Sequence, residues 1–170
     1  MKSIVIQASA RTAGDTSLIV QSVAHKLGCP VVDLLNIDFS GYDYDQRNKN
    51  DEFLPLMRRL VAYDCLVFVT PVYWYSMSGL LKNFFDRITD CLKIDKETGR
   101  KLRGMHMAAL SCSNSPGETE GFFFPFSASA EYLGMHYLGG LHCYVEDGEI
   151  PVEVAETIDK FLKAFETSKN

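Results

Sequence analysis

No stretch of this 170-residue sequence approaches the ~20 consecutive apolar residues that a membrane helix needs. The segment MKSIVIQASARTAG has only a short apolar run before polar residues arrive, unlike the longer apolar core of a secretory signal, so a cytoplasmic protein is expected. Cysteine is sparse and badly placed for cross-links. Cys29, Cys65, Cys91, Cys112 and Cys143 are odd in number, widely spaced and without a CxxC pair, which argues against a disulfide framework and against zinc or iron–sulfur ligation. His25, His106, His136 and His142 lack metal-ligand spacing, so their default role is packing and no metal site is expected. Basic charge is short as well: 17 Lys and Arg against 22 Asp and Glu give a net charge of -5 and no continuous basic footprint for nucleic acid. Neither GxGxxG nor GxxxxGK[ST] occurs, which excludes the common dinucleotide and P-loop fingerprints. Gln7 to Arg11 contains no cysteine, which disfavours a phosphatase of the cysteine–arginine type.

What is present is a 46% hydrophobic chain, long enough to bury one sizeable core and read as one domain over residues 1–170. Short apolar runs at Ser3 to Ala8, Val31 to Leu35, Cys65 to Thr70, Met105 to Leu110 and His136 to Val145 read as strands, the first without solvent-facing alternation, as expected when helices cover both faces of a parallel sheet. Between and after them, three- and four-residue apolar spacing predicts helices over Asp15 to Leu27, Asp51 to Ala62, Ser78 to Leu92 and Pro151 to Phe165. A further helix is expected within Glu118 to Leu133, interrupted or started late by Pro125. The basic KETGRKLRG reads as a solvated connection, and Gly139 with Gly140 as a bulge or bend. Asn36 to Asn50, polar but carrying Phe39, Tyr42 and Tyr44, is either a cover loop or a surface connection whose aromatics pack on the domain edge.

This βαβ alternation places three loops at the carboxyl ends of the strands, where open parallel sheets bind ligands. The first, SARTAGDTS, combines the hydroxyls of Ser9, Thr12, Thr16 and Ser17 with the Arg11 guanidinium and the amides of a helix start, a set suited to phosphate. Asp15 reads as that helix's N-cap. The second, TPVYWYSMSG, brings Tyr73, Trp74 and Tyr75 to a strand end, suited to a planar heteroaromatic ring or to a dimer surface, with Ser78 capping the next helix. The third offers Ser111, Ser113, Asn114 and Ser115. Cys112 among them has no histidine recognisably paired with it and reads as a non-catalytic thiol.

SARTAGDTS at 9–17 and TPVYWYSMSGLLKNFFDR at 70–87 resemble the NAD(P)H-dependent FMN reductase family of the flavodoxin-like fold. The resemblance implies an α/β three-layer sandwich with a five-stranded parallel sheet in the order 2-1-3-4-5. It implies that Ser9, Arg11, Thr16 and Ser17 hold the FMN phosphate, that Pro71, Val72, Tyr73 and Trp74 line the flavin, and that Ser111 completes the pocket. It further implies NADPH or NADH as reductant and hydride transfer to flavin N5, with no side-chain acid or base required for the transfer itself. A quinone, azo, nitro or free-flavin acceptor and a homodimer follow from the same likeness. Asp15 stands where the family often has asparagine, and Ser76 to Ser78 replace a segment often richer in glycine or proline. A flavodoxin-like electron carrier and a flavin-free interaction protein are the alternatives.

Overall fold

Strand β1 (Ser3–Gln7) is buried at every residue, the pattern of a strand covered by helices on both faces. A computed structural model describes residues 1–117 and 120–167 and shows the layers that cover it. After β1 come α1 (Asp15–Leu27), β2 (Val31–Asp33), α2 (Phe53–Leu60), β3 (Cys65–Pro71), α3 (Gly79–Lys93) and α4 (Lys96–Lys101). The chain continues through β4 (His106–Ser113), α5 (Phe124–Leu133), β5 (His136–Tyr144) and α6 (Val152–Thr167). All neighbouring strands pair in parallel, in the order β2-β1-β3-β4-β5. This is the flavodoxin-like arrangement that the motifs imply.

Alternation along the strands divides the core into two layers. Ile4, Ile6, Phe68, Met107 and Ala109 face one side and pack with Phe53 of α2, Phe84 of α3 and Phe126 of α5. Val5, Val67, Val69 and Leu110 face the other, against Ile19 and Val23 of α1 and Ile158 and Leu162 of α6. Phe84 stands at a junction of rings, 5.5 Å from Phe53 and 5.8 Å from Phe68 between centroids.

The departures from the sequence reading have local causes. Strand β2 stops at Asp33 because its carboxylate accepts a hydrogen bond from Leu35 N–H at 3.0 Å, turning the chain into a short 3-10 segment. KETGRKLRG is not a simple connection: Asp95 caps it through Thr98 N–H at 3.2 Å, and six of its residues form α4. Helix α5 starts late, with Pro125 in its first turn, where the missing N–H costs no intrahelical bond; the expected start at Glu118 lies outside the described residues. The bulge does occur: Met107 pairs with Tyr137 but Ala108 with Gly139, so Leu138 is left over. Gly140 is demanded by space, since a Cβ there would collide with the Phe123 ring.

Asn36 to Asn50 is a packed connection along α3. Phe39 contacts the rings of Phe53 and Phe84, Arg87 donates to the Ser40 carbonyl at 2.8 Å, and Lys93 donates to the Tyr42 hydroxyl at 2.9 Å. Among the described residues no helix is long and apolar enough to cross a membrane.

Candidate functional site

The first loop leaves β1 at Gln7, whose buried amide Nε2 donates to the Thr12 carbonyl at 2.9 Å and to Asp33 Oδ2 at 3.2 Å. The loop is thereby tied to the end of β2. Its N-cap is Gly14, not Asp15: Ser17 Oγ donates to Gly14 O at 2.6 Å and accepts from Gly14 N–H at 3.0 Å, and Asp15 becomes the first helical residue. Gly14 has φ 148°, where L side chains are strained, and the Arg11 guanidinium lies directly over its α-carbon, in space that a Cβ would occupy.

That position is electrostatically unusual. A cation is unfavourable at the positive end of a helix unless an anion joins it. Among the described residues the Arg11 guanidinium has no hydrogen-bond or ion-pair partner, and the backbone amides of Thr12, Ala13, Asp15 and Thr16 donate to nothing. Ser9, Thr16 and Ser17 are buried beside them. The arrangement is a cradle of N–H donors and one guanidinium, chemically suited to an anion such as a phosphate dianion.

The second loop is fastened to the first through Ala8. Its carbonyl accepts from Ser78 Oγ at 2.6 Å and Thr70 Oγ1 at 3.4 Å, while Ser78 Oγ accepts from Leu81 N–H at 3.1 Å and so caps α3. Pro71 is buried at the end of β3 and Val72 is half-buried, its N–H bonded to Cys112 O at 2.8 Å. Beyond them Tyr73 and Ser76 pair in a two-residue turn, with Trp74 at φ 49° and Tyr75 at φ 63°. Two bulky residues in the left-handed region are strained by about 1–3 kcal/mol each. They gain no burial in return, for Trp74 is 93% and Tyr75 84% exposed. The described chain alone therefore gives these rings no packing partner that explains the turn.

In the third loop Ser111 is fully buried and its hydroxyl engages His142 Nδ1 at 2.8 Å. His142, read from sequence as a packing residue, also contacts Ser113 and Ser115. Gln7, Thr70 and His142 are the positioning groups that sequence reasoning missed. A polar residue closing an otherwise apolar strand was a signal for Gln7, whereas the His142 contact depends on strand pairing 31 residues apart. Burial pushes the Cys112 thiol up to about 11, with Thr16 opposing, so it is a neutral thiol at pH 7 and not an activated nucleophile. Among the described residues no group of three or more His, Cys, Asp or Glu is gathered for a metal.

A cleft of about 1030 Å³ opens at the opposite, amino-terminal strand edge, bounded by Asp64, Arg103, His106 and His136. The loop site is marked by its unanswered donors rather than by depth, and those donors lie at the other end of the sheet.

Parallel order and three loops at one strand edge define a flavodoxin-like α/β protein. Residues 1–149 match the family model for NADPH-dependent FMN reductase, and the chain belongs to that family. It is 31% identical over 117 residues to the uncharacterized NAD(P)H oxidoreductase YdeQ of Bacillus subtilis (strain 168), covering 62% of this chain and 59% of that one. It is 26% identical over 165 residues to the NADPH azoreductase of Bacillus sp. (strain OY1-2), covering 96% and 89%. The chain thus spans less than two thirds of the length of YdeQ. In fold it is similar to the Trp repressor binding protein of Bacillus subtilis, with TM-score 0.72 at 20% identity over 95% of this chain and 97% of that one. General stress protein 14 of Treponema denticola, solved with FMN, gives TM-score 0.66 at 15% identity over 98% and 99%.

Proposed function

We propose that the chain is an FMN-containing oxidoreductase that takes reducing equivalents from NADPH or NADH and delivers them to a small acceptor. The observation that carries this reading is the set of four amides around Arg11 that, among the described residues, have no partner, as its guanidinium has none. The buried hydroxyls of Ser9 and Thr16 supplement them as phosphate ligands, while Ser17, whose hydroxyl donates to Gly14 O, shapes the helix start beneath them. Pro71 and Val72 offer backbone along the isoalloxazine, and Tyr73 and Trp74 offer aromatic surface at its side. When bound, the flavin supplies hydride acceptance and electron release. The chain's own residues anchor its phosphate, orient its ring and leave one face open to nicotinamide and then to acceptor.

Quinone, azo, nitro and free-flavin acceptors fit an exposed ring face, and the azoreductase relative supports the azo class. A homodimer belongs to the same proposal, because a second copy over the exposed Trp74 and Tyr75 would roof the ring; sedimentation of the flavin-loaded protein reads it out. The deciding experiment is anaerobic stopped-flow mixing of FMN-loaded protein with NADPH or NADH. Bleaching near the flavin absorption maximum without acceptor, then recovery on adding quinone, is the expected result. Tight FMN binding with no reduction by either nucleotide would make the chain an electron carrier instead.

A further inference from the structure

The third loop is held by one imidazole, and its hydrogen bonds fit only one of the two neutral tautomers. Ser111 on β4 lies opposite His142 on β5 in the parallel register. On one side of the ring, His142 Nδ1 is 2.8 Å from Ser111 Oγ. On the other, Nε2 is 3.2 Å from the Ser115 carbonyl and 3.3 Å from Ser113 Oγ. A carbonyl only accepts, so Nε2 must carry the hydrogen. In the neutral ring Nδ1 is then a lone pair, and the Ser111 hydroxyl must donate to it. Ser113 Oγ completes the circuit, donating to Ser115 O at 2.6 Å and accepting from Ser115 N–H at 3.3 Å.

Two structural consequences follow. In that tautomer the Ser111 hydroxyl hydrogen is committed to Nδ1, so this fully buried side chain can act toward a ligand only as an acceptor. The turn from Ser113 to Ser115 is shaped both by the bonds of Ser113 Oγ within the loop and by His142 across the strand pair. The first and second loops are knotted to each other at Ala8. His142 provides a comparable side-chain fastening for the third.

We propose that His142 is a positioning residue of the flavin pocket: as the neutral Nε2–H tautomer it clasps Ser111 and Ser115 and so sets the third loop against the cofactor. This role rests on the flavin reading above. The clasp itself does not, and the test separates the two.

Nitrogen-15 NMR of the flavin-free protein should report His142 as the Nε2–H tautomer; an Nδ1–H signal overturns the clasp. In the FMN-loaded protein, loss of the two imidazole bonds in H142L should raise the FMN dissociation constant about tenfold, at roughly 1 kcal/mol or less per net bond. It should also shift the bound flavin's visible spectrum. H142Q, whose amide reaches the Nε2 position and can donate to Ser115, should recover part of both effects, which a purely space-filling role would not predict. Circular dichroism confirms that the variants fold. If the wild type binds FMN and H142L matches its affinity and spectrum, the positioning role is wrong while the flavin reading stands. If the wild type takes up no FMN at all, the flavin reading falls and the positioning role with it.

Discussion

Arg87 grips Asp51 with two hydrogen bonds, Nη1 to Oδ2 at 2.6 Å and Nη2 to Oδ1 at 2.9 Å, across 36 residues of chain. Its Nε donates to Asp90 at 2.7 Å, and its guanidinium lies 4.8 Å from the centre of the Phe53 ring. The side chain is wholly buried. The arginine of the LKNFFDR motif is therefore a girder between α3 and the entry to α2, outside the three loops. Replacing it with methionine would leave Asp51 and Asp90 without their counter-charge. Breaking a buried pair in this way costs about 3–5 kcal/mol. Urea unfolding of R87M should show that loss, while FMN affinity per folded molecule stays near the wild-type value.

The same pair makes a prediction about acid. Burial alone would raise the Asp51 carboxyl, but hydrogen bonds from Arg87 and from the Phe53 and Ser40 amides outweigh it and hold the group below the usual carboxylate range. The folded state therefore binds this proton less readily than the unfolded chain. Its contribution to stability is complete above the unfolded carboxyl value of about 4 and is lost as pH falls through the lower folded value. D51N should be less stable than wild type at pH 7, with the gap narrowing steadily below about pH 4. A gap independent of pH would mean that Asp51 contributes through packing alone.

Arg11 is expected to act on the ligand rather than on the fold, because among the described residues its guanidinium has no partner and its side chain is exposed. R11A should weaken FMN binding by roughly ten- to hundredfold, the equivalent of about 1.5–3 kcal/mol for a charge-assisted bond. The penalty should shrink as salt is added. Flavin titrations at two ionic strengths, with circular dichroism as the control, measure both. An affinity equal to wild type at low salt would remove Arg11 from the phosphate cradle.

Much of this architecture was legible from local pattern. The buried strands, the stop of α1 at Gly28 and the cap at Ser78 follow from apolar spacing and backbone chemistry, and the resemblance of two motifs implied the strand order. What was not legible depends on partners distant in sequence or on competing caps. Asp15 has a good N-cap side chain, yet Gly14 holds the position because Ser17 satisfies its amide and Arg11 needs the empty space above it. The clasp between Ser111 and His142 exists only after β4 and β5 have paired. The aromatic content of the second loop was evident, but its left-handed turn was not, since neither Trp nor Tyr favours that conformation.

Cys112 sits at the junction of the first and third loops, with its thiol beside Thr16. Because burial holds it protonated, Cys112→Ala should leave turnover unchanged, and alkylating reagents should modify it slowly in the folded protein. Loss of turnover in a folded C112A variant would show that the thiol has a direct role.

The turn at Trp74 and Tyr75 gives the sharpest opposition between stability and function. Both residues have positive φ, and both rings are exposed. A two-residue turn with two positive φ values is the conformation that Asn-Gly adopts most readily. The double variant W74N/Y75G should therefore relieve strain while giving up almost no burial. For a chain of this size the melting temperature should rise by roughly 2–4 °C for each kcal/mol recovered. If the rings serve the cofactor or its acceptor, the same variant should turn over more slowly and show altered bound-flavin fluorescence. The single substitution W74L, which keeps apolar bulk but not an extended aromatic face, should reproduce part of the fluorescence change. A variant that is more stable and fully active would show that the rings serve neither the flavin nor its acceptor. One that is less stable would mean that they pack against a partner surface in the working protein, which sedimentation of the wild type and the variant at matched concentration would reveal as a loss of assembly.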